Sequence, residues 1–232
     1  MFGVGPLYAH TPSPGGRWHL LVDHLRSTAD LARRFAEPFG GGEVAEVLGR
    51  VHDLGKASCV WQDRLAAVAG SGERVGIDHK VVGTEVAQAL GLGPFAVAVW
   101  GHHGGLIDAK TLRQVVAQRR AKYVASVASA EAAIGQVPQL SGLPAVTVPH
   151  QWRGAMVGEM GLRMVFSALV DADFLDTSAH FAGVDVPRVR PDAEFGQLFE
   201  RFEKRRGESL SGRVDGRLAG TGLSRLSGRG RA

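Results

Sequence analysis

The sequence predicts an all-α fold, a helical bundle, on three observations. Apolar residues recur at three- and four-residue spacing, as in Leu21, Leu25, Ala29, Ala32 and Phe35. Glycine and proline clusters separate these stretches at helix-length intervals. Alternating apolar and polar runs are nearly absent, and Ala145 to Val148 is too short to support a sheet.

The elements are expected in this order. Trp18 to Phe35 is a helix, and the following PFGGGE is a turn by composition. Val44 to His52 is a second helix, with Asp53-Leu54-Gly55-Lys56 as its C-terminus and Gly55 in a left-handed backbone. Ala57 to Ala69 is a short helix, and Gly70 to Gly76 is a loop. His79 to Leu90 and Pro94 to Trp100 are helical, the second opened by its proline. After Gly104-Gly105, Asp108 to Ile134 reads as one long helix. Val137 to Pro149 is a proline-rich loop, Met156 to Ala179 a long helix and Phe195 to Arg206 a short one. Residues 1–206 form the domain, and 207–232 a basic, Gly/Ser/Arg-rich tail expected to be mobile.

Hydrophobic residues at 44% and charged residues at 22% are ordinary for a soluble globular chain and exclude wholesale disorder. One cysteine, Cys59, excludes a disulfide scaffold and fits a reducing cytoplasm. No basic segment followed by an apolar run opens the chain, so the expected location is cytoplasmic. Val86 to Trp100 is too short to span a membrane, and Ala132 to Trp152 is interrupted by Pro138, Pro144 and Pro149. No membrane association is expected. Nine Lys/Arg and three Asp/Glu fall between Arg201 and Ala232, so residues 201–232 carry +6 and the first 200 residues carry −2, for a net +4. The body therefore gives little reason of its own to bind nucleic acid through bulk charge.

The chemistry lies in how histidines and aspartates are grouped. His24 follows Asp23, His52 precedes Asp53, His79 follows Asp78, and His102 and His103 are adjacent before two glycines. Asp171 and Asp173 sit in an apolar helix, where a carboxylate is costly unless it is paired or bound to a cation. Arg163 or Lys56 would be such a pair. Imidazole and carboxylate together suit divalent transition metals: Mn, Fe, Co, Ni or Zn. His10, His19, His150 and His180 read as ordinary core or surface histidines.

The combined order is distinctive. "YAHTP", "LLVDHLRSTADLARRFA", "VHDLGKASCVWQDRL", "DHKVVGTEVA", "GHHGGL" and "VFSALVDADFLDTSAHF" follow one another over about residues 8–181. In this the sequence resembles the HD-domain metal-dependent phosphohydrolases and, within them, the HD nuclease domain of the type I CRISPR-associated helicase–nuclease. The resemblance implies an HD-domain bundle with a metal site in its core cleft. It implies that His24, His52, Asp53 and Asp173 hold one ion. His79, His102 and His103 would hold a second, with Asp53 bridging, and Lys56 would lie near the scissile phosphate. The resemblance prefers Asp173 to Asp171, because Asp173 matches the Ala-Asp of the wider superfamily; two residues turn a helix by about 200°, which puts Asp171 nearly on the opposite side.

One or two ions are implied, most naturally Mn, Ni, Co or Fe, with Mg or Zn as further candidates. The implied activity is hydrolysis of single-stranded DNA in antiviral defence. The implied partners are a CRISPR helicase subunit and the RNA-guided surveillance complex. No GxxxxGK(S/T) sequence is present, so a separate or missing motor is expected. Lys110, Arg113, Arg119, Arg120 and Lys122 supply basic positions, and those sharing a face could track a phosphate backbone. A second reading is an HD phosphohydrolase of nucleotides or cyclic nucleotides.

Overall fold

Helix α1 (Leu21–Ala36) buries Leu21, His24, Leu25, Thr28, Ala29, Ala32 and Ala36 along one stripe. Small residues on that stripe let α2 (Gly42–Val51) come very close: a methyl group on Gly49 would fall 2.6 Å from Ala29 Cα. In this computed structural model, which describes residues 5–189 and 199–206, that crossing sets His24 opposite the end of α2. Helix α3 (Cys59–Val68) follows, opened by Ser58, whose Oγ accepts from the Trp61 amide at 3.2 Å. Then come α4 (Lys80–Ala87), α5 (Ala96–Gly101), α6 (Ala109–Lys122), α7 (Val124–Gln136) and α8 (Ala155–Phe181).

Among the described residues the fold is all-α, with one short antiparallel pair ahead of α1: β1 (Tyr8–His10) against β2 (His19–Leu20). The 27-residue α8 lies against α1, α2 and α5. Leu48, Leu54, Val99, Val165 and Leu169 are wholly buried between them. Each such leucine or valine contributes roughly 1.5–3 kcal/mol by leaving water. Trp152 closes one end of this core, stacked between Phe39 and Phe95 at centroid distances of 6.2 and 5.7 Å.

Three expectations need correction. The segment Asp108–Ile134 is not one helix but two, broken at Tyr123 (φ −117°, ψ 35°). The break lets α6 pack on α4 while α7 packs on α3 and on the turn after α2. That turn is the second correction. Asp53 does not end in a left-handed Gly55 but leads into a 3-10 turn, Leu54–Ala57. Gly55 is required for another reason: a methyl group there would strike the backbone carbonyl of His79. Third, helix α1 starts at Leu21 rather than Trp18, because residues 19 and 20 pair with β1.

Lys80–Gly101 has the length and hydropathy of a membrane-crossing segment. It is two helices joined through a π-turn, Gln88–Leu92, in which Gly91 is left-handed (φ 89°). More than half of it is buried against the rest of the bundle. The chain divides into two units, Met1–Arg188 and Val189–Ala232. In the second, residues 199–206 are helical. The start of the expected Phe195–Arg206 helix and the whole tail, 207–232, lie outside the described residues.

Candidate metal centre

Asp53, wholly buried at the end of α2, is the hub. Its Oδ2 faces Lys56 Nζ at 2.6 Å, His24 Nε2 at 3.3 Å and His52 Nε2 at 3.4 Å. Its Oδ1 faces His79 Nε2 at 3.2 Å and His102 Nε2 at 3.4 Å. Asp173, from α8, closes the first group, with Oδ1 3.5 Å from His24 Nε2 and 3.7 Å from His52 Nε2. His103 stands at the rim of the second, its ring centroid 5.3 Å from that of His79. Two sets result, His24–His52–Asp53–Asp173 and Asp53–His79–His102–His103, each with its donor atoms within 4.8 Å of one another. Either set could hold a metal ion.

The local chain explains why the imidazoles point inward. His52 Nδ1 donates to the Gly49 carbonyl at 2.8 Å, and His102 Nδ1 to the Val99 carbonyl at 2.6 Å. A carbonyl only accepts, so the proton is on Nδ1. His24 Nδ1 lies 2.6 Å from Asp176 Oδ2, which fixes its ring in the same sense. The three Nε2 atoms are thereby turned toward Asp53, as metal-binding histidines require. Gly83, on α4, reinforces the placement. A methyl group there would strike the Val51 carbonyl, so α4 abuts the end of α2 and brings His79 onto Asp53.

Electrostatics follow from burial and these partners. Burial favours a neutral His52, but the carboxylates of Asp53 and Asp173 outweigh it and push it up to about 10. Burial favours a neutral Asp53, yet the Lys56 ammonium, His52 and His79 hold it well below the usual range. Asp173 is lowered in the same way by His52. Partial loss of water around its ring, with the neighbouring His102, lowers His103 to about 3 although the residue lies at the exposed rim. The residues fit a cation: Asp53 Oδ1, His79 Nε2 and His102 Nε2 are buried, converge, and have no aligned hydrogen-bond partner among the described residues. Leaving such atoms unpaired costs roughly 1–3 kcal/mol each, more for a charged group.

All of the sequence-derived site residues (His24, His52, Asp53, Lys56, His79, His102, His103, Asp173) meet at this point. Asp171 is exposed on the far side of α8. Neither residue named as an alternative partner reaches Asp173: Lys56 pairs with Asp53, and Arg163 pairs with Glu159 at 2.6 Å. Four residues were overlooked. Asp176 props His24, as given above. His10 and His19 join His24 in a third cluster, with their Nδ1 atoms 3.0 Å apart. His180 stacks on His19 at 4.5 Å. Only Asp176 left a trace in the sequence, one helical turn from Asp173. On α6, Arg120 is engaged by Glu85 and Glu131, and Arg119 lies 3.9 Å from Asp78. The expected basic face is thus partly neutralised by the protein's own acids.

No protein-family model matches this chain, and no curated protein matches it.

Proposed function

We propose that this protein is a metal-dependent phosphodiesterase that cuts single-stranded DNA. The observation that carries the reading is Asp53, whose two oxygens each face a separate set of inward-turned imidazoles. One carboxylate serving two nitrogen-rich sets suits a pair of cations a few ångströms apart. His24, His52, Asp53 and Asp173 would hold one, and Asp53, His79, His102 and His103 the other. Such ions, when bound, clamp a phosphate and supply hydroxide near neutral pH.

The chain's own residues do the rest. Asp53 stays ionised because Lys56 and its histidines hold it so. Asp176 and the Gly49 and Val99 carbonyls keep the rings in one tautomer. Lys56 supplies positive charge beside the point where a phosphate would sit. His103, exposed at the rim, is the part of the set that substrate meets first. The imidazole-rich donor set favours a divalent transition metal (Mn, Ni, Co, Fe or Zn) over Mg. DNA as substrate, a role in CRISPR defence, and partnership with a helicase subunit and an RNA-guided complex rest on the sequence resemblance described above.

The test is direct. The chelated protein should be inert, and added Mn²⁺, Co²⁺ or Ni²⁺ should restore cleavage of single-stranded DNA but not of intact duplex. Cutting that survives chelation would refute the reading. Rapid turnover of nucleotides or cyclic nucleotides with DNA untouched would favour the small-molecule phosphohydrolase instead.

A further inference from the structure

The two halves of the centre are not equivalent. On the Oδ1 side, three converging buried atoms (Asp53 Oδ1, His79 Nε2 and His102 Nε2) lack an aligned partner among the described residues. On the Oδ2 side a positive charge is already in place: Lys56 Nζ sits 2.6 Å from Asp53 Oδ2. The Lys56 ammonium is itself buried. It is held further by the Ala9 carbonyl at 3.3 Å, by His10 Nε2 at 3.4 Å and by the face of Trp61 at 5.3 Å.

We infer that Lys56 acts as a built-in counter-ion that makes the two halves fill in a fixed order. The His79–His102–His103 half takes the first cation, and the His24–His52–Asp173 half the second and weaker one. This rests on the two-ion reading of the proposed function. A cation entering the Oδ1 half satisfies atoms that nothing else satisfies. One entering the Oδ2 half must share its carboxylate oxygen with a fixed ammonium, or displace that ammonium from buried partners. Like charges within a few ångströms in a buried site oppose each other strongly. Lys56 is then a positioning residue for the metals, whatever it also does for a phosphate.

The experiment is titration of the chelated full chain with Mn²⁺ alone, read by calorimetry and equilibrium dialysis, with no DNA present. The wild type should bind in two steps. Lys56→Met, which keeps the volume and removes the charge, should tighten the second step by more than about tenfold and leave the first within about twofold. Lys56→Arg should keep the wild-type order. His102→Ala should remove the tighter step, which identifies the half without depending on the Lys56 variants. The inference fails if both wild-type steps coincide, or if Lys56→Met moves neither step or both alike. It fails equally if His102→Ala removes the weaker step. Ordered loading without DNA cleavage would sink the proposed function and leave the order standing; cleavage without order would do the reverse.

Discussion

The two ends of the core are built on opposite principles. Around Trp152, Phe39, Phe95 and Val165 pack with no charge among them, and Gly41 and Gly161 bare their backbone so that the indole fits. Around Asp53, four histidine and aspartate side chains with almost no exposure (His24, His52, Asp53 and His102) crowd with a lysine. The first region lowers the free energy of the fold. The second raises it unless something fills it, since buried ionic and unpaired groups are costly. A protein keeps such a region for what it does rather than for how it folds.

The sharpest way to break that division is Asp53→Ala. It removes the carboxylate shared by both sets, so both ions and all cleavage should be lost while the helical circular dichroism persists. Normal metal content in this variant would refute the hub. Trp152→Ala should do the converse. A buried tryptophan truncated to alanine costs roughly 3–5 kcal/mol. Denaturant melts should show that loss, and the fraction still folded should bind Mn²⁺ with unchanged stoichiometry.

A smaller effect is expected at Asp176, which touches His24 and no other member of the first set. Asp176→Asn should weaken one ion by roughly 10–100-fold and spare the other, as with outer-shell partners generally. Equal weakening of both would show that its role is merely to hold the fold. The smallest effect is expected at Asp171. Asp171→Ala should change stability by less than about 0.5 kcal/mol. It should bind two ions, whereas Asp173→Ala should bind one. Equal metal content in the two variants would overturn the choice between them.

The sequence made some of this legible and not the rest, for identifiable reasons. His52-Asp53 and His102-His103 are neighbours in the chain, so their convergence needed no knowledge of the fold. Helical rotation shows that Asp171 and Asp173 cannot share a face, and the resemblance picks Asp173; the same rotation then points to Asp176, one turn on. His10 and His19 could not be placed, because a strand pair of five residues brings them to His24, and so short a pair leaves no alternation to read. The break at Tyr123 was equally hidden: no glycine or proline marks it, and packing of α7 away from α6 imposes it. Gly55 reads as a turn residue, but its reason lies in the His79 carbonyl, 24 residues further along the chain and beyond any local pattern's reach.

That same glycine gives the site a control point outside its ligands. A methyl group at position 55 has nowhere to go but against the chain that carries His79. The start of α4 would have to retreat, and His79 would leave Asp53, while His24, His52 and Asp173, held by α1, α2 and α8, would stay where they are. On the proposed two-ion reading, Gly55→Ala should bind one Mn²⁺ instead of two in equilibrium dialysis, with every donor atom still in the polypeptide.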